Sequence, residues 1–309
     1  MPDALPPAAP TKPGDVIDAH THLFTVGLLE EVLAKQPPEA MKRWREGLRS
    51  RRFGRRGDQQ LPDMTPVDTA AFYVERLNAA GVSKALVMSV MPDTQWVRDF
   101  IVAANGHVQA CCNVDPRDPD APALLEREMA AGFKGVKLLP VNRCYRVSDP
   151  ACRPFFEKAA ELGAPICIHY GVTVDPTGDL RYADPIDLSP VARDFPDLPF
   201  VIAHFGAGWL DSALRLAYQC KNVAVDTSGT NNWMDYHVPK MTLAEVFERA
   251  LTALGPERVL FGTDAGTTAP YRTWIKYQQV RTLEELGLPE HDRDLVLRGN
   301  ASRIFRMDE

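Results

Sequence analysis

The sequence predicts an α/β protein that folds as a closed (β/α)8 barrel, or TIM barrel. Eight short apolar runs are typical of buried strands, stretches with helix-like apolar spacing separate them, and Gly or Pro stands at most boundaries. Apolar strands that alternate with helices indicate a parallel sheet covered by helices, and eight such units indicate a closed barrel. A doubly wound open sheet is the structural alternative.

The predicted strands begin almost at the start of the chain. A Pro- and Ala-rich tail over residues 1–14 is expected to be flexible, and a single barrel domain is predicted over residues 15–309. The eight predicted strands are, in chain order, "DVIDAH", "KALVMSV", "HVQACCNV", "FKGVKLL", "PICIHYG", "PFVIAHFG", "NVAVDTSG" and "RVLFGTD".

A basic insertion is predicted after strand 1, over residues 24–64. Its run "MKRWREGLRSRRFGRRGD" holds eight Lys and Arg residues against only Glu46 and Asp58. We interpret this run as a solvated surface excursion or an oligomer contact, which would allow a homodimer. The functional alternative is a lid that attracts an anionic substrate.

The composition restricts the function classes. A hydrophobic content of 45% and a charged content of 25% are typical of a soluble globular protein. The net charge of −6 argues against a nucleic-acid partner, and no window approaches the roughly 18 apolar residues of a membrane span. Six cysteines without a C-x-x-C pair, and no secretory signal, predict reduced thiols in a cytoplasmic protein.

Polar side chains mark the carboxyl ends of the predicted strands, where the active sites of such barrels lie. His20 and His22 end strand 1, and because side chains alternate along a strand they point the same way. The other marked positions are Lys137 on strand 4, His169 on strand 5, His204 on strand 6, Asp226 on strand 7 and Asp264 on strand 8. Singly, each is as well explained by core packing or a barrel ion pair. Together, imidazoles and a carboxylate around one cavity predict a site for Zn²⁺ or another divalent ion.

Six segments resemble, in order and spacing, motifs of the amidohydrolase superfamily, and within it the amidohydrolase-related (amidohydrolase 2) family. They are "DAHTH", "GFKGVKLLP", "ICIHYG", "VIAHFG", "VLFGTD" and "GNASRIF". The resemblance covers the chain from Val16 to Phe305 and implies that the metal is bound by His20, His22, His169 and Asp264.

The resemblance leaves the number of metal ions open. His204 is either a ligand of a second metal or the histidine that polarises the substrate carbonyl. Lys137 is either a carbamate that bridges two metals or a cation beside a single one. One metal ion per chain, or two, is therefore expected.

The activity that this resemblance implies is metal-dependent hydrolysis. Activated water would attack the carbonyl carbon of a lactone, ester or amide, with Asp264 as the general acid and base and His204 or a second metal stabilising the developing oxyanion. The alternative is a zinc-dependent, non-oxidative decarboxylase of an aromatic or muconate-like acid, which the same residues would serve. A non-catalytic barrel that binds a small acid is a third interpretation.

Substrate contacts are expected in the loops that follow the strands. Arginines suit bidentate binding of a carboxylate, and aromatic side chains could support an organic ring. A small, carboxylated substrate is therefore predicted. The candidate contacts are Arg143, Arg146, Tyr170, Trp209, Asn232 and Trp233.

Overall fold

Eight parallel strands form one sheet in the order of the chain, and its first and last strands meet. The computed structural model describes residues 16–34, 38–39, 42, 45–46, 49, 52–53, 59–91, 95–173, 175, 178–229, 233–267 and 271–308. The strands are β1 (Ile17–Thr21), β2 (Lys84–Met88), β3 (Val108–Asn113), β4 (Val136–Leu138), β5 (Ile166–Ile168), β6 (Phe200–Ile202), β7 (Val223–Asp226) and β8 (Val259–Leu260). Each overlaps its predicted segment, so the predicted barrel is confirmed.

Backbone hydrogen bonds between β1 and the residues from β8 onward close the barrel. The amide of Ala19 donates to Phe261 O at 2.9 Å, and the amide of His22 donates to Ala265 O at 2.7 Å. Between them, the amide of Asp264 donates to His20 O at 2.8 Å. The closure therefore places the ends of strands 1 and 8 side by side.

Helices cover the outside of the sheet. They are α1 (Val26–Ala34), α2 (Pro66–Ala79), α3 (Gln95–Ala103), α4 (Ala121–Ala130), α5 (Pro140–Arg143), α6 (Arg153–Leu162), α7 (Ser189–Asp194), α8 (Leu210–Gln219), α9 (Leu243–Leu254), α10 (Thr273–Glu285), α11 (Glu290–Asp294) and α12 (Asn300–Phe305). Local sequence sets several of their starts: Thr65 caps α2 ahead of Pro66, and Thr242 with Glu245 forms a capping box on α9. Of the helices within the described ranges, none combines the length and apolar character that a membrane span requires.

Two hydrophobic layers result. Inward-facing strand residues such as Leu86, Cys111 and Val201 pack with Ile304 and Phe305 of α12 in one buried cluster. A larger cluster fills the space between the strands and the outer helices. The barrel is thus packed through its lower part, which leaves polar side chains at the carboxyl ends of the strands.

The segment between β1 and α2 begins with an apolar helix rather than with charged residues. The side chains of α1, including Val26, Leu29 and Leu33, pack with Leu61 in a small cluster. A two-stranded antiparallel ribbon follows, Arg52–Phe53 with Gln59–Gln60. Most of the basic run, like the tail over residues 1–14, lies outside the described residues, so the insertion and its role stay predictions.

A buried carboxylate joins two outer helices. Glu128 of α4 is fully buried, and both of its oxygens accept from Nη2 of Arg98 on α3 at 2.6 Å. Arg127 contacts the same carboxylate at 3.1 Å, but its side chain is 67% exposed whereas that of Arg98 is 24% exposed.

These two arginines provide a matched test. Replacing Arg98 with Ala leaves a buried charge without its main partner and should cost about 3 kcal/mol of unfolding free energy. Replacing Arg127 with Ala removes only a solvent-screened contact and should cost less than about 1 kcal/mol. Urea denaturation followed by circular dichroism measures both, and equal losses would contradict the assignment.

Candidate metal centre

The closure of the barrel brings His20, His22 and Asp264 together. Nε2 of His22 lies 2.9 Å from Oδ1 of Asp264, and Nε2 of His20 lies 3.9 Å from the same oxygen. Asp264 follows β8 in the left-handed region, with φ +59°, which turns its side chain toward β1. Among the described residues, this trio is one of two groups whose potential ligand atoms lie within 4.8 Å of one another.

The second group comprises His20, His204 and Asp226, and it shares His20 with the first. His204 follows β6 and is also left-handed, with φ +58°. Its ring centroid lies 4.7 Å from that of His20 and 5.0 Å from that of His169. His169 therefore borders the cluster without entering either group.

Each of the four histidines directs one ring nitrogen at a fixed oxygen. Nδ1 of His22 faces Met88 O at 2.9 Å, and Nε2 of His169 faces Val172 O at 3.1 Å. Nδ1 of His204 faces Ser228 O at 2.9 Å, and Nδ1 of His20 faces Oδ2 of Asp226 at 2.7 Å. Carbonyl and carboxylate oxygens only accept, so these nitrogens carry the protons. The opposite ring nitrogens then hold free lone pairs, as metal-binding histidines do.

Two observations test whether these residues fit a metal ion. Nε2 of His20 is buried and has no hydrogen-bond partner among the described residues. Nε2 of His22 lies 2.9 Å from Oδ1 of Asp264, a separation that two lone pairs hold only with a proton or a metal cation between them. Nitrogen and carboxylate donors are also what Zn²⁺ and similar ions prefer. The residues therefore fit a divalent ion.

The electrostatic environment keeps the imidazoles of His20, His169 and His204 neutral and the carboxylate of Asp264 ionised, which is the state that metal binding requires. Burial lowers the pKa of His20 to about 3, and the nearby charge of Lys137 acts in the same direction. Burial also lowers the pKa of His204, and burial with His204 lowers that of His169. Burial alone would raise the pKa of Asp264, but its contacts with His22 and Arg272 hold it well below the usual range.

Lys137 lies inside the barrel below the histidines. Its side chain is 1% exposed, and Nζ donates to Sγ of Cys167 on the neighbouring strand at 3.5 Å. Lys137 is thus a buried amine beside the cluster, and its two expected roles, a bridging carbamate or a cation, stay predictions.

Two further residues join the site without a predicted role. Asp226 was expected only to end strand 7, yet it contacts both His20 and the backbone of His204. Its position at the carboxyl end of a strand was the available signal. Nη1 of Arg272 lies 3.3 Å from Oδ2 of Asp264, and no pattern in the sequence singled it out.

The predicted substrate contacts are placed unevenly. Arg143 ends α5 at the barrel mouth and donates to Oδ1 of Asn113, whose amide donates to Lys137 O at 2.8 Å. Arg146 is 61% exposed and lies 3.7 Å from Asp187. Trp209 is half-buried after β6, ahead of α8.

Two predicted contacts lie elsewhere. Tyr170 and Trp233 are fully buried in the large cluster between strands and helices. Burial raises the pKa of Tyr170, and Asp187 and Tyr145, which belong to the outer layer, act in the same direction. Their rings pack in the core, but the Tyr170 hydroxyl and the Trp233 indole N–H have no hydrogen-bond partner among the described residues, and their predicted role toward a substrate stays a prediction. Asn232 lies outside the described residues.

Comparisons with known proteins give a family for the chain and a curated relative. A sequence model of a family described as "Amidohydrolase" matches residues 17–307. A 2-keto-4-carboxy-3-hexenedioate hydratase from Sphingobium sp. is 32% identical over 184 residues, which cover 52% of this chain and 52% of that protein. The chain therefore spans about half the length of this curated relative.

Solved structures share the whole fold. A candidate 2-pyrone-4,6-dicarboxylic acid hydrolase from Pseudomonas putida superposes with a TM-score of 0.63 at 19% identity, covering 95% of this chain and 98% of that one. A 5-carboxyvanillate decarboxylase from Novosphingobium aromaticivorans, complexed with manganese, superposes with a TM-score of 0.61 at 16% identity, covering 94% and 96%. At these identities the likeness establishes the barrel and nothing finer.

The clustered histidines and Asp264 predict how much metal the purified protein carries. Protein purified without chelators should carry about one divalent ion per chain by inductively coupled plasma mass spectrometry, and His20→Ala should lose most of it, because an unpartnered buried nitrogen is removed. The exposed His107 lies outside the cluster and supplies the control, since His107→Ala should keep the wild-type content. Equal metal content in all three proteins would exclude the cluster as the binding site.

Proposed function

The chain belongs to the amidohydrolase family, and we propose that it is a metal-dependent hydrolase that adds water to the carbonyl carbon of a small, carboxylated lactone, ester or amide. The observation that carries this proposal is the meeting of His20, His22 and Asp264 around one point, with each histidine's other nitrogen committed to an oxygen. Buried side chains that can bind a metal in this way are suited to the activation of water, whereas core packing does not require them.

The proposed ligands of a single ion are His20, His22, His169 and Asp264. When bound, a divalent ion lowers the pKa of a water molecule and polarises the substrate carbonyl. Asp264 would accept the proton of the attacking water and pass it to the leaving oxygen or nitrogen, so that bond formation and bond cleavage balance. Arg272, 3.3 Å from Oδ2 of Asp264, would hold that carboxylate in place between the two transfers.

We assign His204 the role of accepting the proton that the new carboxyl group of a lactone or ester product releases, and of passing it to solvent. Its Nδ1 proton is committed to Ser228 O, so Nε2 presents a lone pair. In this tautomer the ring cannot donate a hydrogen bond to a substrate carbonyl, and polarisation of that carbonyl would first need a proton on Nε2. The geometry thus favours uptake of a proton by His204 over the polarising role that the sequence left open.

Positive charge at the mouth supports a carboxylated substrate. The guanidinium group of Arg272 lies beside Asp264 after β8, and that of Arg143 donates to Asn113 at the end of β3. Guanidinium groups bind carboxylates in a bidentate manner. Arg146 is proposed only as an outer contact, since it pairs with Asp187 on the rim.

A lyase is the second candidate, and the comparisons give it specific support. The Sphingobium relative is a hydratase, and the manganese-containing structural neighbour is a decarboxylase. A hydratase adds water to a carbon–carbon double bond, whereas a decarboxylase releases CO₂ without consuming water in the organic product. The same ligands and the same arginines would serve either reaction.

Isotope labelling separates these reactions. Wild-type protein incubated in H₂¹⁸O with a panel of carboxylated lactones, esters and amides should place one ¹⁸O in a new carboxyl group without release of CO₂, and the lactones and esters should also release a proton. Mass spectrometry and a pH-stat measure the two products. CO₂ release without ¹⁸O in the organic product would establish the decarboxylase instead, and ¹⁸O in a new hydroxyl group without bond cleavage would establish the hydratase.

Replacement of the acid–base carboxylate should abolish turnover. We expect Asp264→Asn to lower kcat by about 10²–10⁴-fold, because an amide cannot transfer the proton. Metal content measured on the same sample separates this loss from loss of the ion. Asp294→Asn, at an exposed carboxylate on α11, is the control and should keep wild-type kcat. Wild-type kcat in Asp264→Asn would rule out the proposed role.

A further inference from the structure

Asp226 is a buried carboxylate whose hydrogen-bonding capacity is filled. It ends β7 and is 1% exposed. Oδ2 lies 2.7 Å from Nδ1 of His20. Oδ1 accepts from the backbone amides of His204 and Ser228, each at 3.0 Å, and from the Ser228 hydroxyl. The Cys167 thiol also donates to Oδ2, at 4.0 Å, so the two oxygens receive five donors, whereas a carboxylate offers about four lone-pair sites.

We propose that Asp226 is a positioning residue that fixes the tautomer of His20 and the backbone of His204, rather than a metal ligand. This inference rests on the proposed metal-dependent function. Oδ2 holds the His20 proton on Nδ1, and Nε2 is thereby left bare toward Asp264 and His22. Carboxylates that accept from the outer nitrogen of a metal-bound histidine orient the ring in this way.

The other oxygen acts on the second histidine. His204 adopts the left-handed conformation, in which non-glycine residues are uncommon, and its amide is held by Oδ1. The Ser228 hydroxyl gives its proton to Oδ1, so its oxygen, 2.8 Å from Nδ1 of His204, is a second acceptor beside Ser228 O. One carboxylate therefore determines which nitrogen each of two histidines presents to the cavity.

The filled lone pairs also argue against a second ion at Asp226. His20, His204 and Asp226 lie close enough together to suggest a metal site of their own. Binding an ion there would require Asp226 to release His20 or the backbone donors at Oδ1. The geometry thus favours one ion per chain, with Lys137 kept as a cation below it.

Asparagine at this position has a forced orientation. Three donors converge on the Oδ1 side, so the amide oxygen of Asp226→Asn must lie there and its NH₂ group must face Nδ1 of His20. An NH₂ group donates, so the proton of His20 would move to Nε2 and face the metal position. Asp226→Ala removes the acceptor without imposing the wrong tautomer, although it leaves a cavity and several unpaired donors.

Zn²⁺ affinity and thermal stability of the two variants distinguish a positioning role from a merely structural one. If Asp226 positions the tautomer, Asp226→Asn should bind Zn²⁺ about 10–100-fold more weakly than wild type in a chelator competition, and at least as weakly as Asp226→Ala. Its thermal unfolding midpoint, measured without metal, should nevertheless exceed that of Asp226→Ala. If Asp226 is merely structural, both measurements should rank Asp226→Asn above Asp226→Ala, and that order would overturn the proposal.

A control and a spectroscopic measurement complete the test. Asp187 is a largely buried aspartate that also accepts from backbone amides and a serine hydroxyl, but it contacts no histidine among the described residues, so Asp187→Asn should keep wild-type Zn²⁺ affinity. ¹⁵N NMR of histidine-labelled protein should show the His20 proton on Nδ1 in wild type and on Nε2 in Asp226→Asn. A wild-type protein that binds no Zn²⁺ would refute the proposed function, whereas a wild-type His20 protonated on Nε2 would refute the positioning role.

Discussion

An imidazole can bind a metal only through a nitrogen that carries no proton, and the other features of this site depend on that requirement. The fold supplies four fixed acceptors: Met88 O at the end of β2, Val172 O after β5, and Asp226 with Ser228 O at and just after the end of β7. Each acceptor comes from a different part of the chain than the histidine it serves, except at His169. The tautomers are therefore a property of the closed barrel and would not exist in an isolated strand.

Several residues at the site adopt unfavourable backbone conformations, and the closure of the barrel stabilises them. His204, Phe205, Ala207 and Asp264 all have positive φ without being glycine. Such conformations cost on the order of 1 kcal/mol or more each and persist only where the surroundings determine them. Here the amide of His204 is held by Asp226, and that of Asp264 by His20 O, so the hydrogen bonds that shape the site also offset its strain.

Much of the fold could be predicted because parallel strands are buried on both faces and therefore stand out as apolar runs. The histidines and Asp264 could be predicted because strand ends converge in a barrel. Arg272 could not, since it acts from the start of α10, where no periodicity marks a contact with Asp264. The burial of Tyr170 and Trp233 could not be predicted either, because a loop aromatic can turn inward to pack or outward to bind, and only the tertiary structure decides. The apolar helix α1 was hidden by the basic run that follows it.

The charges around the cluster have a consequence for ligands that approach from solution. The carboxylates of Asp226 and Asp264 lie beside the basic side chains of Lys137 and Arg272, so charges of both signs meet at the cluster. A divalent ion bound there would add two positive charges. The mouth of the barrel would then attract anions, in a protein whose overall charge is negative.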